Sequence, residues 1–236
     1  MWFNIHHYFE LAAALAGSYY WLKTKDERIR PFIWYLWLTI SVETIGLYPK
    51  IMQYNFDSSW FIWLKNSPIC RNTWLYNIYG FVGLILLGWF YRNHLNNRLS
   101  KKVIVFTVIL CSVFALMYYT ISGRFFEMYL PYEDAFRTFA ILIFVLLYFR
   151  ELLNSEKFLE FYKSHMFYIS VALMLWNICV TPLFIFDGYY KAINMEFVEF
   201  RRLFLAIANV LLYSCYVFSF LFSLYHKKQL VLKKSH

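Results

Sequence analysis

The stretch Phe32–Tyr48, FIWYLWLTISVETIGLY, lies between Pro31 and Pro49 and contains one carboxylate, Glu43. It is apolar and of helix length. A charged side chain in the hydrocarbon of a bilayer costs about 2.5–3.5 kcal/mol even on the lenient insertion scale. If this run crosses a membrane, Glu43 therefore has to face protein or trapped water, and the other helices have to be arranged around it.

The composition makes a membrane the expected solvent. Of the 236 residues, 61% are hydrophobic and 16% charged, whereas soluble domains are about 45–50% apolar and about 25% charged. Aromatic residues reach 24%, which suits interfacial belts and lined cavities as well as spans. The net charge of +9 would suggest nucleic acid in a soluble protein, but here the basic residues sit at the ends of apolar runs, so no nucleic-acid partner is expected. Cys70, Cys111, Cys179 and Cys215 are scattered without a CxxC pair, which argues against a disulfide framework or a zinc site. Ala14-Leu15-Ala16 resembles a leader cleavage site. No basic residue precedes it, however, and His6, His7 and Glu10 interrupt the apolar region, so the N-terminal run reads as a retained first span.

Apolar runs of about 20 residues predict an all-α bundle of seven transmembrane helices in one domain, with spans at 4–22, 32–48, 72–91, 103–122, 134–153, 166–186 and 202–225. Ala12, Ala13, Ala16 and Gly17 give the first span a small-residue face for close helix approach. The segment Asp57–Leu64 reads as a short capped interfacial helix with Trp60 and Trp63 as anchors. Asp187-Gly188 is assigned to a loop. Fifteen of the 23 lysines and arginines fall in the segments 23–30, 92–102, 150–163 and 227–234, all on one side of the predicted bundle. By the positive-inside rule that side is cytoplasmic, so the N-terminus is outside and the C-terminus inside. A bacterial inner membrane is the expected location.

This orientation assigns each polar residue a depth. Glu43 lies about 8 Å below the outer end of its span, Glu10 about 9 Å, Asn77 about 8 Å, Asn209 about 10 Å and Arg137 about 5 Å. Asn177 lies about 13 Å down, and His6 and His7 sit at the outer mouth. The inner halves read as nearly bare. The expectation is an outward-facing pocket for a small ligand, lined by Glu43, Glu10, His6 and Arg137 and shaped by Asn77, Asn177 and Asn209. Each residue also has a plainer role. His6 and Glu10, four apart, can bond each other, and their face offers too few ligands for a metal. Glu43 can bond Asn77 or Asn209, and Arg137 can pair with Glu10 or Glu43 or snorkel to the surface. Asn177 and Asn209 can hold helices together. Trp176 with Pro182 suggests a bent helix with an aromatic wall.

The sequence lacks the signatures of several chemistries. The last span has no lysine for a retinal Schiff base, no paired mid-depth histidines for haem, and the chain contains no HExxH, GxSxG or P-loop motif. No catalytic residue, metal or cofactor is assigned. An enzyme built on Glu10, Glu43 and His6 has no motif behind it. Two non-enzymatic architectures fit. One is a receptor-like bundle. The other is a small-solute or proton-coupled carrier made of two three-helix repeats about a linking span, a 3+1+3 pattern. For the carrier, Glu43 then Pro49 echo Asn177 then Pro182, and Asn77 echoes Asn209. Against it, no polar constriction is read on the inner side.

The segments LLYFRELLNSEKFLEFYKSHMFYISVALMLW (146–176) and NVLLYSCYVFSFLF (209–222) resemble seven-helix membrane modules of gliding-type Gram-negative bacteria. These stand alone or precede two-component histidine kinases. The resemblance implies a sensory or accessory membrane protein. No kinase or output domain follows Tyr225 here, so the implied partner is a separate histidine kinase or other cytoplasmic protein, reached through the basic loops and tail.

Overall fold

The computed structural model describes residues 5–52, 59–127, 131–190 and 195–234. Among them the chain is helical and has no strand. Nine α-helices are described: α1 (Ile5–Thr24), α2 (Arg30–Ile45), α3 (Tyr48–Ile51), α4 (Ser59–Lys65), α5 (Thr73–His94), α6 (Arg98–Ser122), α7 (Pro131–Leu153), α8 (His165–Tyr190) and α9 (Met195–Lys234). Seven of them have 16 residues or more and coincide with the seven apolar runs. Four are both long and apolar enough to cross a membrane: α5, α6, α8 over His165–Phe184, and α9 over Glu196–Lys227. By contrast α2, with 16 residues, is about 24 Å long, short of a hydrocarbon core of about 30 Å. In α1 and α7 the length suffices, but His6, His7 and Glu10, or Asp134, Arg137, Arg150 and Glu151, dilute the apolar face.

The run that opened the reading does not form one helix. Pro31 lies in the first turn of α2, where its missing N–H costs nothing. The helix then stops at Gly46, whose amide donates to the Val42 carbonyl at 2.7 Å. A Cβ on Gly46 would lie 2.9 Å from the Tyr76 hydroxyl, so glycine lets α5 approach there. Tyr48 and Pro49 then start the separate turn α3. Other boundaries also differ from expectation. Asp187 and Gly188 lie inside α8, which continues past Pro182. α9 extends well beyond 202–225 at both ends. Asp57 and Ser58 lie outside the described residues; Trp60 and Trp63 are exposed on α4, with ring centroids 5.3 Å apart.

Six long helices form a ring in the order α1, α2, α5, α7, α8, α9 and back to α1, while α6 packs on the outside of α5 and α7. One end of the ring gathers the C-termini of α1, α5 and α9 with the start of α8, through Tyr20, His94, Lys227 and His165. The end of α7 joins the start of α6 there, where Glu151 accepts from the Asn97 amide at 3.2 Å. Half a circuit of the ring carries α1, α2, α5 onto α7, α8, α9.

The ring's interior is aromatic. Phe32 meets Phe90 at 4.9 Å and Tyr216 at 5.1 Å, and Tyr20 meets Phe220 at 5.6 Å. All five are fully buried. On α1 the inward small residues are Ala13, Ala14 and Gly17, whereas Ala12 is exposed, which shifts the expected face by part of a turn.

Among the described glycines the tightest approach is at Gly88 of α5, where a Cβ would lie 2.5 Å from Cγ2 of Val108 on α6. Valine has little rotamer freedom in a helix. Gly88→Ala should therefore lose about 1–3 kcal/mol to overpacking against about 1 kcal/mol gained in helix propensity. The expected result is a lower apparent Tm in detergent, restored in the Gly88→Ala/Val108→Ala double variant. An unchanged Tm in the single variant would contradict the contact.

Candidate functional site

Of the residues singled out in the sequence, His6, Glu10 and Glu43 fall into one group and Arg137 and Asn177 into another. The first joins α1, α2 and α5. Glu10 is buried, and His7 Nδ1 bonds its Oε2 at 3.2 Å. The partner of Glu10 is thus His7, three residues away, and not the expected His6. His6 and His7 have ring centroids 4.1 Å apart. Glu43 accepts from the Tyr76 hydroxyl at 3.0 Å, in place of the expected Asn77 or Asn209. Glu10 and Glu43 lie close enough to feel each other's charge. His6, His7 and Glu43 can each present a ligand atom, all within 4.8 Å of one another. The third ligand atom of this set comes from Glu43 on α2, beyond the α1 face on which His6 and His7 stand.

The second group lines a crevice of about 60 Å³ between α5, α7 and α8, with room for a few waters. Its walls include Tyr35, Tyr79, Arg137, Trp176, Asn177 and Thr181. Arg137 forms an ion pair with Asp134 on its own helix, not with Glu10 or Glu43. Asn177 donates to the Leu173 carbonyl at 2.8 Å and accepts from Thr138 at 3.5 Å, and Thr138 shares a 2.9 Å bond with Thr181. Asn209 accepts from Trp176 Nε1 at 2.8 Å, tying α9 to α8. Asn77 is buried and donates to the Phe125 carbonyl at 2.8 Å. The three asparagines therefore serve three separate neighbours, and only Asn177 reaches the crevice.

Two residues absent from the expected site, Tyr35 and Tyr79, also line the crevice. The Tyr79 hydroxyl donates to that of Tyr35 at 3.1 Å and contacts Thr39 Oγ1 at 3.0 Å. Tyrosine is easily overlooked in a sequence, because its ring counts as apolar and its hydroxyl matters only once helices face each other.

The opposite end of the ring is not bare. The Lys227 ammonium donates to the Tyr20 hydroxyl at 3.0 Å, and that hydroxyl lies 3.1 Å from His165 Nδ1. Since Tyr20 accepts from lysine, its own proton is available for His165, which leaves the histidine proton on Nε2. His94 Nδ1 donates to the Phe90 carbonyl at 2.8 Å, which leaves its Nε2 as an acceptor. The two rings are 5.8 Å apart, and each buried Nε2 lacks a partner among the described residues. Nearby, in the connection between α1 and α2, the Arg28 guanidinium holds the Asp26 carboxyl down to about 2. That lowered value stabilises the turn above the free carboxyl range near about 3.9, and the contribution is lost as pH falls through about 2.

The fold is thus that of an all-α protein whose helices include four fit to cross a membrane. Neither a protein-family model nor a curated relative nor a solved structure matches this chain.

Tyr20→Phe should leave Nδ1 of the buried His165 short of a partner, at a cost of about 1–3 kcal/mol. A fall in apparent Tm is expected. Combining it with His165→Phe should cost less than the sum of the two single changes, and strict additivity would show that the pair is not coupled.

Proposed function

We propose that this chain is a multi-pass protein of a bacterial inner membrane, with seven spans, an outer N-terminus and a cytoplasmic C-terminus. It binds a small ligand from the extracytoplasmic side and passes the signal to a separate cytoplasmic partner, such as a histidine kinase. One observation carries the reading. Imidazoles and carboxylates from α1 and α2 converge at the ring end that the charge bias assigns to the outside. Such groups are costly in a membrane and are retained where they bind something. The hydrogen-bonded Tyr35 and Tyr79 line the crevice that α2 and α5 help to form. The resemblance of residues 146–176 and 209–222 to kinase-associated membrane modules supports the sensory role.

A second reading is favoured by the ring itself. Two three-helix halves with α6 outside match the 3+1+3 plan of a carrier. The halves place Glu43 opposite Asn177 and Asn77 opposite Asn209 in ring order. The His94, His165, Tyr20 and Lys227 cluster also supplies the inner polar group whose expected absence told against transport.

Alkaline phosphatase fused after Asn66 or Gly123 should be active, and fused after Lys25, Asn96 or Ser155 inactive. The reverse pattern would overturn the orientation, and equal activity in neighbouring loops the span count. In proteoliposomes, labelled sugars, amino acids and organic acids should accumulate no more than in empty vesicles. Accumulation of any of them would replace the sensor by the carrier.

A further inference from the structure

We propose that His6, His7 and Glu43 bind a divalent transition-metal cation of the zinc type, which names the ligand class for the outer site proposed above and rests on that reading for its side of the membrane. Their ligand atoms lie within 4.8 Å of one another, and none of the three side chains is exposed. The set is two imidazoles and one carboxylate. Calcium and magnesium prefer oxygen alone, whereas mixed nitrogen and oxygen donors suit zinc, cobalt or nickel. Three protein ligands and one open position also describe zinc sites that hold a water or an exchangeable ligand.

Three details at this end suit a cation better than an ordinary hydrogen-bonded cluster. His6 Nδ1 is buried with no partner among the described residues, an arrangement that costs free energy unless something satisfies it. His7 Nδ1 is held by Glu10, so Nε2 is its remaining donor atom. That is the outer-shell carboxylate–histidine arrangement that orients metal ligands. Glu43 Oε2 is held by Tyr76, which orients the carboxylate in the same manner. Lys50 lies near enough to act on both His6 and Glu43.

Zinc–nitrogen and zinc–oxygen bonds are about 2.0–2.2 Å long, so the ligand atoms must draw closer than they stand here. The ligands come from α1 and α2, so metal binding would pull these helices together at this end. That movement gives the bound cation a way to change the packing of α1 against α9 along its length.

The test uses the full chain purified in detergent without a histidine tag. Isothermal titration with Zn²⁺ should give one site per chain. Substitution with Co²⁺ should give visible ligand-field bands that Zn²⁺ abolishes. His6→Ala, His7→Ala and Glu43→Gln should each weaken binding at least about tenfold, and Glu10→Gln about 10–100-fold as an outer-shell change. His94→Ala, at the far end, should leave it unaltered. Size-exclusion profiles would identify variants that fail to fold, and the cobalt spectrum of the unsubstituted protein tests the site without any variant. Absence of a stoichiometric site, or binding unchanged in the His6→Ala/His7→Ala double variant, would overturn the metal site and leave the outer pocket standing. Metal binding in a chain whose fusions place residue 66 inside would overturn the outward reading and leave the metal site standing.

Discussion

The packing of the first long helix along the last closes this molecule. α1 lies against α9 with Gly17 under the Phe220 ring, where a Cβ would come within 3.1 Å. In a bilayer, association of helices gains nothing from hiding apolar surface from water, so close van der Waals approach has to supply the attraction. A larger side chain at position 17 would hold the two helices apart. The same contact organises both ends. At one it sets Tyr20 between Lys227 and His165; at the other it holds α1 so that His6 and His7 meet Glu43.

Between the ends the ring is filled by aromatic side chains. Phe32, Phe90, Tyr216, Phe220 and Tyr20 touch edge to face or at a tilt, a geometry worth about 0.5–1.5 kcal/mol per pair beyond area burial. The tyrosines among them carry a hydroxyl that a purely aliphatic core would lack. The Tyr91 hydroxyl donates to Ser170 at 3.0 Å, fastening α5 to α8 across the ring. Polar groups thus lie at the two ends, along the crevice and on a few cross-ties, and aromatic rings fill much of the rest.

Most of the helices were legible because a run of apolar residues leaves the backbone no other way to satisfy its hydrogen bonds in lipid. The exceptions are local. α2 stops at Gly46, where a Cβ would meet the Tyr76 hydroxyl of α5 at 2.9 Å, a neighbour that the α2 sequence does not reveal. The depth of Glu43, Glu10 and His6 could be counted along their helices, and they do lie at one end. Their partners could not be counted. Uniformly apolar helices do not announce which face meets which neighbour, so His7 was passed over for His6, and Tyr76, Tyr35 and Tyr79 were not singled out. His94 and His165 stand at the end of α5 and the start of α8, where sequence alone does not show what covers them. The structure buries His165 against Tyr20 of α1 and Phe220 of α9 and sets His94 beside it.

The position of α6 outside the ring has an electrical consequence. Because α6 returns the chain outside, α5 and α7 run side by side in the same direction, as do α9 and α1. Four ring helices therefore end where only two begin. Each terminus contributes roughly half an elementary charge of macrodipole, so the backbone itself makes the Tyr20 end electronegative and the Glu43 end electropositive. Lysine and arginine collect at the Tyr20 end, in the segments 23–30, 92–102, 150–163 and 227–234. The polarity of the peptide groups and the placement of the cations thus have matching sense, and the bundle carries its up and down in its main chain as well as in its loops.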